Sequence, residues 1–185
     1  NINDEQKKIN INNCWTERSR EELKRIVSEM QIKNEELKNF IKPNEVKKEF
    51  FLDEIVMEAL EMLEDTFMNH NIKIDYNFSK SINLYGFPNE INQVIFSILQ
   101  NAKEALVEKN IDSKKVFISI KKDKDFAYIN IVDNAGGVPS ALLGNIFEPY
   151  FTTKKYKKSS GLRLFLSKII IEENWQRNYN GFLGK

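Results

Sequence analysis

Ile129-Asn-Ile-Val-Asp133-Asn-Ala-Gly136-Gly137-Val138 is the stretch that decides the fold, because an apolar strand ends there in an acidic residue and enters a paired-glycine turn. Such a turn offers a carboxylate and bare backbone to a flat ligand, since glycine lets other groups approach the chain closely. About thirty residues upstream, Asn101 lies in an amphipathic pattern typical of a helix and offers an uncharged oxygen to a metal-phosphate group. In this order, and with the segments that follow, the two features predict an ATP site.

Helical and strand patterns alternate on both sides of this stretch. Helices are predicted over 53–67, 88–109 and 161–173, and strands over 50–52, 72–78, 84–86, 116–121 and 126–133. Asp53 is predicted to cap the first of these helices, and residues 139–147 to form a short helix or turn. Helices and mixed strands in this order predict an α/β (α+β) two-layer sandwich.

The N-terminal part of the chain has a different pattern. Residues 1–16 are polar and Asn-rich, and we expect them to be flexible. A long amphipathic helix is predicted over 17–41 and ends at Pro43, because proline cannot continue the helical hydrogen bonds. Its apolar stripe contains Leu23, Ile26, Val27, Met30, Leu37, Phe40 and Ile41. This stripe needs a partner, either its own domain or a second helix in a dimerisation hairpin or bundle.

Composition excludes several classes of function. The 28 basic and 27 acidic residues give a formal charge of +1, which argues against nucleic-acid binding, because that needs a concentrated basic face. A single cysteine, Cys14, cannot form an internal disulfide, and this favours a reducing compartment. No apolar run is long enough to span a bilayer, and residues 1–13 do not resemble a signal peptide. We therefore expect a cytoplasmic protein, or the cytosolic part of a membrane-anchored sensor.

Four motifs, in order, resemble those of the ATP-binding catalytic domain of sensor histidine kinases. Residues 93–105, QVIFSILQNAKEA, resemble the N box, and residues 133–138, DNAGGV, resemble the G1 box. Residues 146–154, IFEPYFTTK, resemble the F box, and residues 160–168, SGLRLFLSK, resemble the G2 box. The resemblance covers about 50–173 and implies a Bergerat-type fold, shared with gyrase-type, chaperone-type and mismatch-repair ATPases. Upstream, residues 37–43 and 50–53 resemble the second helix of the kinase dimerisation hairpin running into that domain.

The resemblance also implies roles for individual residues. Asn101 would ligate Mg²⁺ bridging the ATP phosphates, although a solvated helix residue is the simpler interpretation. Asp133 would accept a hydrogen bond from the adenine amine, although aspartate also suits a plain turn. Gly136 and Gly137 would let the backbone pass close to the base. The remaining predicted ATP-binding residues are Lys103, Glu104, Val138, Phe147, Thr153, Lys154, Gly161 and Leu162. For Phe147 a core position is the alternative, and for the lysines a solvated one.

Two departures from the family pattern bear on activity. The G2 box usually has three alternating glycines, whereas this chain has Ser159, Gly161 and Arg163. Arg163 would either block the phosphates or contact them. After Glu173 the family pattern is lost, so the predicted ATP-binding domain over 50–185 is expected to be incomplete at its C-terminal end.

The expected function is phosphoryl transfer from ATP to a protein histidine in two-component signalling. His70, the single histidine, lies in a polar turn and not on an acceptor helix, so this chain alone is expected to be inactive. Ser97 stands where hydrolytic relatives have a glutamate base, which favours a kinase. The expected partners are a response-regulator receiver domain, a phosphoacceptor hairpin, and a second copy through 17–41. The alternatives are a serine-directed kinase and a degenerate nucleotide-binding or scaffolding module.

Overall fold

The computed structural model describes residues 46–78, 80–124, 126–153 and 160–172. Helices α1 to α4 span Leu52–Glu61, Glu64–Asn69, Pro88–Glu108 and Arg163–Ile170, and a short 3₁₀ helix spans Ser140–Leu142. Strands β1 to β5 span Lys48–Phe51, Ile72–Phe78, Asn83–Gly86, Lys114–Lys122 and Ala127–Asp133. The helix predicted over 17–41 and the segment before it lie outside the described residues.

The strands form two small sheets. In the larger sheet β4 is central, parallel to β2 on one side and antiparallel to β5 on the other. Ile118 in β4 pairs with Tyr76 in β2 and with Ile131 in β5, so the apolar positions of the three strands fall in register. The smaller sheet is the antiparallel pair of β1 and β3. The predicted strands and the predicted hairpin of β4 and β5 are confirmed.

The core lies between the larger sheet and the helices. The central residues of one face of β4, Val116, Ile118 and Ile120, are fully buried, and they pack with apolar residues of α1 and α3 in a single cluster. Its most buried members are Val56, Ala59, Ile95, Leu99, Leu106, Val116, Ile118 and Ile120. The opposite face of the sheet stays open, as Phe117 and Val132 are 44% and 57% exposed. A helical layer on one face of a sheet is the predicted two-layer α/β architecture.

The start of the first helix differs from the prediction. Asp53 does not cap α1, because the helix begins at Leu52 and its N-cap residue, Phe51, makes no side-chain capping bond. Instead the Leu52 N–H donates to the carbonyl of Ile82 at 2.9 Å, and Asp53 accepts from the Ser81 hydroxyl at 2.7 Å. The first N–H of the helix is therefore bonded by the segment before β3, whereas the sequence predicted that a side chain at the helix start would cap it.

The predicted helix over 53–67 is in fact two helices. It breaks after Glu61, where the Leu63 N–H bonds back to the Leu60 carbonyl, and resumes at Glu64. Leu63 and Phe67 on either side of the break are 2% and 3% exposed. Both apolar side chains therefore remain in the core across the break.

Helix α3 begins at Pro88 as predicted, and it buries one polar group without a partner. Ser97 is 1% exposed, and its hydroxyl has no hydrogen-bond partner among the described residues. A buried hydroxyl that loses its water and gains no partner destabilises the folded state. Ser97 therefore serves neither as a helix cap nor as part of a polar network within the described residues.

We expect Ser97→Ala to raise the free energy of unfolding by up to about 1 kcal/mol, because it removes an unpaired buried hydroxyl. Ser167→Ala is the matched control, since Ser167 is equally buried but its hydroxyl donates to the Arg163 carbonyl at 2.8 Å. Urea denaturation of both variants should rank Ser97→Ala as the more stable. A clear loss of stability in Ser97→Ala would mean that the hydroxyl has a partner in solution.

Candidate functional site

Segments that lie far apart in the sequence meet beside α3. This helix carries Asn101 and packs against both β5, which ends at Asp133, and α4, which begins at Arg163. The turn after β5, residues 134–138, is called the glycine turn below. The resembling motifs in 93–105, 133–138 and 160–168 therefore belong to one packed unit.

Asp133 ends β5 with a half-buried carboxylate. One carboxylate oxygen accepts the Ala135 N–H at 2.9 Å, which closes a tight turn over the start of the glycine turn. The other oxygen makes no hydrogen bond with any residue in the described ranges. Both interpretations of Asp133 therefore fit the geometry, since it forms the turn and keeps a second acceptor for a ligand.

The glycine turn needs its two glycines. Gly136 and Gly137 have φ of +84° and +70°, a region that side chains with a Cβ rarely adopt. No atom lies closer than 3.7 Å to the position of a Cβ at Gly136, and none lies within 4 Å at Gly137. Glycine is therefore needed at these two positions for its backbone torsions and not for lack of space. The space beside the backbone is open. Val138, which follows, is 48% exposed.

Asn134 fastens the glycine turn to the sheet. Its side-chain oxygen accepts the Lys115 N–H at 2.8 Å, and its amide donates to the Ser113 carbonyl at 2.7 Å. Its backbone N–H also bonds to the Lys115 carbonyl at 3.2 Å. The sequence prediction did not single out Asn134. The only signal was an amide residue directly after a strand, which suits a turn without revealing its partner.

Lys109, directly after α3, is a second residue that the sequence prediction missed. Its ammonium donates to the carbonyls of Ala135 at 2.5 Å and of Gly137 at 3.3 Å. The lysine lies 26 residues before Ala135, so no short-range pattern connects them. The helix that carries Asn101 thus also holds the glycine turn.

The other predicted residues of α3 divide into two kinds. Asn101 and Lys103 are half-buried, and their side chains make no hydrogen bond or ion pair with the described part of the chain. Glu104 instead forms an ion pair with Arg163, with 2.8 Å between its carboxylate and the guanidinium. Both side chains are about one-fifth exposed, at 22% and 20%. Arg163 therefore links α4 to α3, which was neither of the two roles predicted for it.

Gly161 lies against the backbone of Tyr150 and Phe151. Its carbonyl accepts the Tyr150 N–H at 3.1 Å, and its φ is +70°. A Cβ at this position would lie only 2.6 Å from the Phe151 carbonyl oxygen, so only glycine fits against that backbone. Leu162, next in the chain, is 3% exposed and anchors the start of α4 in the interior.

The remaining predicted residues, Phe147, Thr153 and Lys154, precede Gly161 in the sequence. Phe147 is half-buried, and the ammonium of Lys168 lies 6.0 Å from its ring centroid, within reach of a cation–π contact with α4. Thr153 is exposed. Lys154 lies outside the described residues, as do the lysines that follow it up to Ser159. In the described part of the chain, no three His, Cys, Asp or Glu side chains form a cluster able to hold a metal ion. A metal here would need oxygens from its ligand.

Comparison with known proteins places the described unit among ATPases. Residues 86–180 match the model of a family described as histidine kinase-, DNA gyrase B-, and HSP90-like ATPase. Sensor protein kinase PilS of Pseudomonas aeruginosa is 34% identical over 92 residues, which are 49% of this chain and 17% of PilS. Sporulation kinase A of Bacillus subtilis is 30% identical over 151 residues, which are 80% of this chain and 24% of that kinase. The chain thus spans less than a quarter of the length of these relatives.

Solved structures share the fold. The nucleotide-free catalytic domain of histidine kinase ThkA has a TM-score of 0.61 at 23% identity, covering 69% of this chain and 81% of that domain. A structure of ThkA in complex with response regulator protein TrrA has a TM-score of 0.57 at 23% identity, covering 82% of this chain and 42% of ThkA. Among the helices in the described ranges, none combines the length and apolar character needed to cross a membrane.

Proposed function

Because this chain belongs to the family of histidine kinase-, DNA gyrase B- and HSP90-like ATPases, we propose that it is the ATP-binding catalytic region of a sensor histidine kinase. In this function it transfers the γ-phosphate of ATP to a protein histidine in two-component signalling. The observation that carries the proposal is the packing of α3 against β5, which ends at Asp133. Helix α3 carries Asn101, whose side-chain amide has no partner among the described residues. The alternative of a scaffold without nucleotide finds no support among the relatives, which are named as kinases.

The purine is proposed to lie against the glycine turn. Asp133 has one carboxylate oxygen in the turn and a second for the exocyclic amine of adenine. A guanine base presents an oxygen at that position, which a carboxylate repels, so the site should prefer adenine. Gly136 and Gly137 leave room for the flat base beside the backbone. The predicted contact of Val138 fits its exposed position at the end of the turn.

The phosphates are proposed to lie between α3 and the loop over 152–160. Asn101 would hold Mg²⁺ through its amide oxygen, since magnesium prefers hard oxygen ligands and keeps several waters. The bound metal would neutralise charge on the phosphate oxygens. Lys103, Thr153 and Lys154 are the proposed direct phosphate contacts, with Gly161 and Leu162 at the start of α4. Glu104 contributes through Arg163, by holding α4 beside α3.

The buried Ser97 favours transfer to a protein side chain over hydrolysis. It stands one helical turn before Asn101 on α3 and offers no carboxylate that could take a proton from water. Transfer of a phosphoryl group depends chiefly on positioning and charge neutralisation, so a kinase needs no water-activating base. His70 follows α2 as an exposed turn residue, and it is not proposed as the acceptor. The acceptor histidine is proposed to lie on a separate hairpin.

The proposed partners follow from this chemistry. A response-regulator receiver domain would take the phosphoryl group from the acceptor histidine, as the complex of ThkA with TrrA suggests by analogy. The apolar stripe predicted over 17–41 is proposed to join two copies of the chain. The proposed place of action is the cytoplasm, since the reaction consumes ATP. Nucleic acid is not expected as a partner of a chain with a formal charge of +1.

Titration with Mg·ADP tests the proposed function. At a ligand concentration 100 times the dissociation constant, binding should raise the free energy of unfolding by about 2.7 kcal/mol. Calorimetry should give a measurable heat, and the melting temperature should rise with ADP more than with GDP. No heat and no melting shift at millimolar nucleotide would overturn the proposal.

We expect Asn101→Ala to abolish most of the magnesium dependence of ADP binding. Magnesium should tighten ADP binding to the parent by about tenfold, because it links the phosphates to the Asn101 oxygen. Gln100→Ala is the control, since Gln100 is the adjacent half-buried polar residue on α3. Calorimetry with and without magnesium gives the ratio for each protein. An unchanged ratio in Asn101→Ala would reject the ligand role.

A further inference from the structure

Lys109 joins the helix of the proposed metal ligand to the turn of the proposed base-recognition residue. Its backbone N–H still bonds to the Ala105 carbonyl at 3.1 Å, so the residue is fixed at the end of α3. Its ammonium reaches forward to two carbonyls of the glycine turn, those of Ala135 and Gly137. A hydrogen bond from a charged donor is roughly twice as strong as one between neutral groups.

Ala135 connects Lys109 to Asp133. Its carbonyl accepts from the ammonium at 2.5 Å, and its N–H donates to the Asp133 carboxylate at 2.9 Å. Ala135 itself is only 3% exposed. Lys109 and Asp133 therefore bond to the two peptide groups on either side of the Ala135 Cα.

The backbone of the glycine turn does not hold this arrangement by itself. Gly136 and Gly137, which follow Ala135, have no side chain that restricts their torsions. Asn134 fixes the near end of the turn to β4, but the Ala135 and Gly137 carbonyls are fixed by Lys109. We propose that Lys109 is a positioning residue that aims the Asp133 carboxylate at the adenine amine through Ala135. This inference rests on the proposed function and names the origin of its base selectivity.

The selectivity for ADP over GDP is the measurement that distinguishes aiming from simple stabilisation. A residue that only stabilises the fold would change the affinity for both nucleotides equally. If the Asp133 carboxylate is no longer held toward the adenine amine, the contact that distinguishes adenine from guanine is weakened instead. In Lys109→Met, which keeps the aliphatic stem and removes the donors, we expect the ratio of the GDP and ADP dissociation constants to fall by about tenfold, since part of one charge-assisted hydrogen bond accounts for that factor.

Lys109→Arg should restore the ratio to within about threefold, because it keeps charged donors in the same place. Lys121→Met is the matched control, since Lys121 is an exposed lysine at the far end of β4, and its ratio should equal that of the parent. In the Asp133→Asn background, Lys109→Met should change the ratio no further. Lys109→Leu, which is shorter and also has no donor, provides the same test if Lys109→Met does not fold.

The outcomes separate the two proposals. A parent chain that prefers ADP, with the same ratio in Lys109→Met and Lys109→Leu, would overturn the aiming role alone. A reduced ratio that Lys109→Arg does not restore would also overturn it. A parent chain that binds neither nucleotide would overturn the proposed function and this inference with it.

Discussion

Asp133→Asn should weaken ADP binding by between about tenfold and a hundredfold, while leaving the melting temperature nearly unchanged. A carboxylate has two acceptor oxygens, and Asp133 uses one for the Ala135 N–H. An asparagine side chain that keeps its oxygen on that N–H turns its NH₂ group, a donor, toward the adenine amine, which is also a donor. A lost hydrogen bond to a charged group costs about 1.5–3 kcal/mol, which corresponds to the expected range of affinity.

Asp123→Asn is the control for this substitution. Asp123 also accepts a backbone N–H in a turn, that of Phe126 at 2.8 Å, and it accepts the Tyr128 hydroxyl at 2.7 Å. It lies in the connection between β4 and β5, at the opposite end of β5 from Asp133, so nucleotide binding should not change. Calorimetry with ADP decides the prediction. If Asp133→Asn binds ADP as well as the parent, the carboxylate serves the turn alone.

Gly161→Ala should lower the free energy of unfolding by about 2–4 kcal/mol. An alanine in the left-handed region costs about 1–2 kcal/mol, and a Cβ placed 2.6 Å from the Phe151 carbonyl oxygen adds a steric cost of similar size. The Tyr150 N–H would lose its bond to the Gly161 carbonyl if the backbones moved apart. Urea denaturation measures the change.

Gly137→Ala separates the two causes. Gly137 has the same φ of +70°, but no atom lies within 4 Å of its Cβ position. Its substitution should therefore cost only the torsional part, about 1–2 kcal/mol. Equal losses in the two variants would mean that Tyr150 and Phe151 move away from residue 161 without cost, contrary to the tight base of the loop.

Periodicity was sufficient to predict the elements that bury one face. Alternating apolar residues predicted β2, β4 and β5, because a strand that buries one face shows that alternation in its own sequence. Pro88 predicted the start of α3, because proline fits the first turn of a helix and not its interior. Asp53 failed as a cap because the helix begins one residue before it and its carboxylate accepts the Ser81 hydroxyl, 28 residues away. A local pattern cannot reveal a partner that folding brings from elsewhere.

The same reasoning explains the candidate site. Asn101, Asp133 and the glycines were predictable because each lies in a motif with its own spacing. Lys109 and the ion pair of Glu104 with Arg163 were not, since their side chains reach across to another segment. Residues at helix ends face directions that only the packed structure defines. The structure therefore reveals the contacts that hold the predicted residues in place, which the sequence did not predict.

The contact between Tyr150 and Gly161 also bears on how the chain tolerates change. Because these residues meet, the segment between them begins and ends at nearly one point on the surface. For a flexible segment, the entropic cost of holding its two ends together grows only with the logarithm of its length, about 0.6 kcal/mol for each doubling. The number and type of residues over 152–160 can therefore vary during evolution, or be altered by engineering, with little effect on the sheet and helices below.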